Sequence, residues 1–201
     1  MQMRNLIKEK IAANGYAVGA FVASSSATNC EILAMNGYDF VIIDCEHAQT
    51  DSETAVNMFR ACEMYGMAPM VRVYNPYDGP MMSRLLDVGA HGIMVPLVND
   101  APQAKNIVDN TKYAPVGRRG ANGGRGPRWG AYDDYVKVCN DNTLTFVQCE
   151  SIEGVNNIEE IAALPGVDGV FIGTGDLSLE MGIKFKADSS ANHTVDSPEM
   201  V

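Results

Sequence analysis

Apolar positions along this chain cluster in short runs, and the stretches between them carry apolar residues at helical spacing. The runs are GAFVAS from Gly19, DFVIID ending at Asp44, PMVRV around Arg72, GIMVP ending at Pro96, LTFVQCE ending at Glu150 and GVFIG ending at Gly173. Their near-continuous hydrophobicity predicts parallel strands buried on both faces. Helical spacing marks residues 4–14, 28–36, 52–65, 80–88, 101–113 and 155–164. Six βα units around a parallel sheet, in a single domain over residues 1–201, is the expected architecture. Polar and charged residues gather where the strands stop, which favours a TIM (β/α)8 barrel over a doubly wound sheet, because barrel chemistry sits at the strand C-termini. A complete barrel needs eight strands, typically in about 250 residues. Ser197, Pro198 and Glu199 read as the N-cap, first-turn proline and first-turn acid of another helix. The expectation is therefore a barrel truncated after six units, with strands seven and eight outside this sequence.

Composition narrows the partners. With 46% apolar and 20% charged residues the chain is neither disordered nor fibrous. A formal charge of −10 disfavours nucleic acid and anionic membrane surfaces. No apolar run approaches the roughly 20 residues of a membrane helix. The opening MQMRNLIKEKIAANG lacks the apolar core of a secretion signal, so a cytoplasmic location is expected. Cys30, Cys45, Cys62, Cys139 and Cys149 contain no CxxC pair, which suggests reduced, buried thiols.

The candidate chemistry lies at the strand ends. Asp44, Glu46 and His47 follow the second strand, where a carboxylate such as Asp44 can orient the His47 imidazole for proton transfer; a capping Asp beside a surface His is the alternative. Of the other histidines, His91 precedes a strand and His193 sits in a polar tail. Glu150 and Asp176, at the ends of adjacent strands, can converge on a hard divalent cation, although Asp176 also suits a helix cap. Period-2 alternation places Gln148 on the same face as Glu150, and Cys149 on the other. Gly173, Thr174 and Gly175 resemble part of a dinucleotide fingerprint whose third glycine is missing, yet their amides can hold a substrate carboxylate. Arg72 closes a buried strand, where a guanidinium is costly unless it meets an anion. Arg84 and Asp87 follow in the next helix, spaced as a solvated pair. None of the seven lysines ends a strand, which disfavours an imine-forming aldolase. Residues 115–142 hold Arg118, Arg119, Arg125 and Arg128 among glycines, and read as a flexible cationic active-site loop or a solvated surface loop.

Taken together, IIDCEHA, VRV, LLDVGAHGIMVPLV, YAPVGRRG, RW, QCES and GVDGVFIGTGDLS resemble the HpcH/HpaI aldolase family of metal-dependent class II pyruvate aldolases. The resemblance implies a (β/α)8 barrel, commonly hexameric, that cleaves a 4-hydroxy-2-oxo acid to pyruvate and an aldehyde through an enolate. It implies a Mg2+, Mn2+ or Co2+ ion held by Glu150 and Asp176, Arg72 beside the pyruvyl oxygen, and His47 with Asp44 as the acid/base pair. Gln148 then lines the pyruvate pocket, and Asp87 organises a site near a subunit boundary. The family's usual G-P-A-D turn reads Gly173, Thr174, Gly175, Asp176 here, without its proline. A lyase acting on acyl-CoA esters, or an inactive remnant serving as an assembly partner, are the alternative readings.

Overall fold

A computed structural model describes residues 1–183. Helix α1 (Leu6–Asn14) leads into β1 (Gly19–Val22), α2 (Ala27–Met35), β2 (Phe40–Asp44), α3 (Ser52–Met64), β3 (Ala68–Arg72), α4 (Gly79–Asp87), β4 (Gly92–Val95) and α5 (Ala101–Thr111). Next come α6 (Tyr135–Asn142), β5 (Leu144–Cys149), α7 (Ile152–Asn156), α8 (Ile158–Ala162), β6 (Gly169–Ile172) and α9 (Thr174–Glu180). All six strands are parallel and pair in chain order, β1 to β6. A doubly wound sheet reverses its order at a switch point; this one does not. It winds in one direction as a TIM-type barrel does, and it curls far enough that Phe21 of β1 meets Phe171 of β6 edge to face at 5.6 Å. Ser197, Pro198, Glu199 and His193 lie outside the described residues.

Strand alternation sorts the core into two layers. Val41, Ile43, Val71, Ile93, Val95 and Val147 face outward and pack with Met58, Phe59, Leu85 and Ile107 of the helices. Ile42, Met70, Met94 and Leu144 face inward with Phe40, Phe146 and Phe171, and Ile7 of α1 belongs to this same cluster. Along the inner face, side chains are apolar until the last turn of the strands, where Asp44, Arg72, Gln148 and Glu150 take over. That change of character places the chemistry at the C-terminal mouth.

Most helices begin at a side-chain cap: Asn5, Ser26, Asp51, Asp78, Asp100 and Ser151 each accept a first-turn amide. Two differences from the sequence reading have local causes. The expected helix over 155–164 is broken at Asn157, whose non-helical backbone lets its side chain donate to the Asn99 carbonyl at 2.9 Å. Within 115–142, α6 forms from the polar YVKVCNDN by burying Tyr135 and Cys139, and it starts at Asp134 without a side-chain cap.

The arginine-rich segment is corrected more substantially. Arg118 pairs with Asp109 at 2.6 Å, Arg119 with Asp87 at 2.7 Å, and Arg125 and Arg128 both with Glu63 at 2.8 Å. Glu63 and Asp87 sit at the ends of α3 and α4, which return the chain to the N-terminal side of the sheet. The segment is therefore pinned by ion pairs at the face opposite the mouth, and is not a free cationic active-site loop. Gly89 takes part, because its positive φ of 110° and missing Cβ leave room for the Arg125 guanidinium. No helix among the described residues is long and apolar enough to cross a membrane.

Candidate active site

Three strand ends and one short helix build the mouth. Asp44 and Arg72 are register partners in the β2–β3 ladder, so their side chains emerge side by side on the inner face. Arg72 donates through Nε to Asp44 Oδ1 at 3.0 Å and through Nη2 to Oδ2 at 2.8 Å. Its Nη1 lies 3.1 Å from Glu46 Oε2, and its guanidinium stacks over Phe21 at 5.0 Å. Burial disfavours the Asp44 carboxylate, but Arg72 and the amides of Glu46 and His47 outweigh it and hold its pKa below the ordinary range. Burial equally opposes the Arg72 cation, and the surrounding carboxylates outweigh that, raising its pKa. Burial first, then the Glu150 and Asp44 charges, push Glu46 up despite the opposing pull of Arg72 and His47.

The expected side-chain pairing of Asp44 with His47 is not formed. Asp44 holds the His47 backbone amide at 3.4 Å, while both of its oxygens are committed to Arg72. The imidazole is 67% exposed, and its nearest carboxylate is Glu46, with Nε2 3.7 Å from Oε2. Register explains this: a strand partner reaches Asp44 from the side, whereas His47 has already left the sheet.

Glu150 follows β5 and is only 4% exposed. Its Oε1 accepts the Leu97 amide at 2.7 Å, and its Oε2 accepts Gln148 Nε2 at 2.7 Å. Gln148 and Glu150 thus share one face and make contact, as their spacing predicts. A Cβ on Gly173 would stand 2.4 Å from Glu150 Oε2, so the carboxylate occupies space that only glycine leaves open. Asp176 is the third residue of α9, exposed at the rim. Burial raises the Glu150 pKa, the Asp176 charge adds to the rise, and the Leu97 amide, Arg72 and Gln148 oppose it.

Glu150 and Asp176 offer an all-oxygen donor set that suits a hard divalent cation. Among the described residues no group of three or more His, Cys, Asp or Glu is arranged as metal ligands. Two acids leave positions for substrate and water, as a catalytic site requires. Of the Gly173, Thr174 and Gly175 amides, that of Gly173 is taken by the Cys149 carbonyl at 2.9 Å. Those of Thr174 and Gly175 lie in the first turn of α9, where helical amides lack intrahelical partners.

Asp87 is not brought to this mouth. It ends α4 on the opposite face, bound to Arg119 and Asn122. Lys112, buried among the Asn140 and Thr143 carbonyls and Asp168, also sits at the N-terminal side, consistent with the absence of a strand-end lysine. Glu46 and Leu97 also belong to the mouth, though neither has a role assigned from sequence. Glu46 was visible in the sequence beside His47, whereas nothing local marks Leu97.

A singly wound parallel sheet with acids, an arginine and a glutamine converging at its C-terminal mouth is the arrangement of a TIM-type barrel, the fold whose chemistry sits at that face. The HpcH/HpaI aldolase/citrate lyase family profile matches residues 17–195, and the chain belongs to that family. It is 42% identical over 166 residues to a hydroxypyruvate/pyruvate aldolase of Chromohalobacter salexigens, covering 82% of this chain and 65% of that protein. It is 36% identical over 184 residues to a 2-keto-3-deoxy-L-rhamnonate aldolase of Escherichia coli, covering 90% of this chain and 68% of that one. The crystal structure of an HpcH/HpaI aldolase from Desulfitobacterium hafniense superimposes with a TM-score of 0.86 at 30% identity, over 98% of this chain and 73% of the other.

Proposed function

We infer that this chain acts as a metal-dependent class II aldolase, reversibly cleaving a 4-hydroxy-2-oxo acid to pyruvate and an aldehyde. The observation that carries the reading is the buried Glu150 carboxylate, cradled against Gly173 beside Asp176 and sharing its mouth with Arg72. Glu150 and Asp176 are the residues that hold a divalent cation, with Mg2+, Mn2+ and Co2+ all fitting their oxygen donors. Such an ion supplies Lewis-acid polarisation of the 2-oxo group.

The chain's own residues do the rest. Arg72, fixed by Asp44 and Glu46, faces the oxygen on which negative charge develops during cleavage. Gln148 offers the pyruvyl group a polar wall, and the Thr174 and Gly175 amides receive the substrate carboxylate. His47, exposed at the rim, exchanges the proton of the hydroxyl that becomes the aldehyde. Asp44 serves this step by anchoring the His47 backbone and Arg72, without touching the imidazole. Homo-oligomeric assembly, as a hexamer, belongs to the same reading, with Asp87 available only to a neighbouring copy.

The test is a panel of 4-hydroxy-2-oxo acids assayed for pyruvate release, with and without chelator. Metal-dependent release that Glu150→Gln abolishes supports the reading. Release that persists in excess chelator, or a borohydride-trapped pyruvyl adduct on a lysine, replaces it with imine chemistry.

A further inference from the structure

Leu97 has a backbone that leucine adopts only at a cost. Its φ is +54°, in the left-handed region where a bulky side chain crowds its own backbone and glycine sits freely. Such outliers persist where surrounding structure dictates them, and they concentrate at functional sites. The immediate cause is visible: the conformation aims the Leu97 amide at Glu150 Oε1, 2.7 Å away, while the next residue, Val98, is buried and its amide reaches the Gln148 carbonyl at 3.3 Å. The chain must turn here to serve β5 on both counts.

Glycine would meet that need without strain, yet the position holds a large apolar side chain that is 44% exposed. It lies two residues beyond the end of β4, between the strands that carry Arg72 and Glu150. The two side chains tied to this turn, Glu150 through the Leu97 amide and Gln148 through Glu150, are polar. We propose that Leu97 determines specificity for the aldehyde partner, its exposed apolar side chain serving the hydrocarbon part of that substrate next to the carboxylate its own backbone holds. The proposal rests on the aldolase reading and adds the substrate class: aldehydes with an alkyl chain, in preference to short hydroxylated ones.

The experiment compares kcat/KM for condensation of pyruvate with pentanal and with glycolaldehyde, using the full chain. Leu97→Gly is expected to lower the pentanal-to-glycolaldehyde ratio by about 10-fold, the low end of what a lost methylene-scale contact produces. Leu97→Met, which keeps apolar bulk, is expected to retain the wild-type preference. Independently of activity, Leu97→Gly should melt above Leu97→Ala, because alanine keeps the strained Cβ and glycine does not. An active wild type whose ratio is unchanged in Leu97→Gly overturns the assignment of Leu97 alone, as does a glycine variant that melts below the alanine one. A wild type inert toward both aldehydes overturns the aldolase reading together with this proposal.

Discussion

Arg72 stands opposite Asp44 in the parallel ladder between β2 and β3, and its guanidinium holds both oxygens of that carboxylate at 3.0 and 2.8 Å. The pair is largely buried, with side-chain exposures of 14% and 4%. Removing Asp44 leaves Arg72 with Glu46 as its remaining carboxylate, so the cost should fall below the about 3–5 kcal/mol of a wholly uncompensated buried charge. Asp44→Asn should therefore lower the melting temperature and also slow exchange of the pyruvate methyl protons, because Arg72 loses its alignment. Arg72→Lys keeps a cation but loses the planar fork, and should slow the same exchange by about 100-fold, the scale of a lost charge-stabilising donor. Proton exchange in Arg72→Lys at the wild-type rate would confine this arginine to a structural role.

His47→Ala separates proton transfer from charge stabilisation. Cleavage is expected to fall by roughly 10²- to 10⁴-fold, the usual contribution of a positioned acid or base. Methyl-proton exchange of pyruvate should fall less, since it does not pass through the aldol hydroxyl. Retro-aldol and exchange rates measured on one preparation decide the point; near wild-type cleavage removes His47 from the chemistry.

Gly173→Ala probes the cradle. The added Cβ would meet Glu150 Oε2 at 2.4 Å and Glu150 Cβ at 2.5 Å, so the carboxylate must shift. Overpacking of this kind costs about 1–3 kcal/mol. The fold should survive while Mn2+ affinity, read by calorimetry, falls. Unchanged affinity would show that Glu150 holds its place without the space glycine leaves.

His91 predicts a pH dependence unrelated to catalysis. Burial, reinforced by Arg128 and Arg125 against the opposing Glu63, lowers its pKa to about 4, and its Nδ1 has no hydrogen-bond partner among the described residues. The unfolded chain protonates this imidazole near 6.5, before the folded one does. Its contribution to stability is therefore full above about pH 6.5 and is lost as the pH falls toward 4. At 1.36 kcal/mol per unit, that loss is roughly 3 kcal/mol. Denaturant titrations of wild type and His91→Gln across pH 4–7 should show a flatter profile in the variant. Parallel profiles would place the acid sensitivity elsewhere. Asp44, with its depressed pKa, contributes stability that is present above about pH 4 and lost as the pH falls through its lower folded value.

The sequence by itself determined the order of the six strands and of the helices up to residue 113, because apolar runs such as VIID and FVQC alternate with stretches of helical spacing. It also determined that Gln148 and Glu150 share a face, since alternation is a property of one strand. Tertiary structure decided which groups meet. Asp44 and His47 are three residues apart, yet register gives Asp44 to Arg72, twenty-eight positions away. The same holds for the arginines of 118–128, which look like an uncommitted cationic loop until Glu63, Asp87 and Asp109 arrive from other elements. Leu97 carries no local sign of its strained backbone, because its φ answers to a carboxylate fifty-three residues later. Local propensity and alternation are written within a few neighbouring residues, whereas partners across the sheet are set by register and winding, which exist only once the strands have paired.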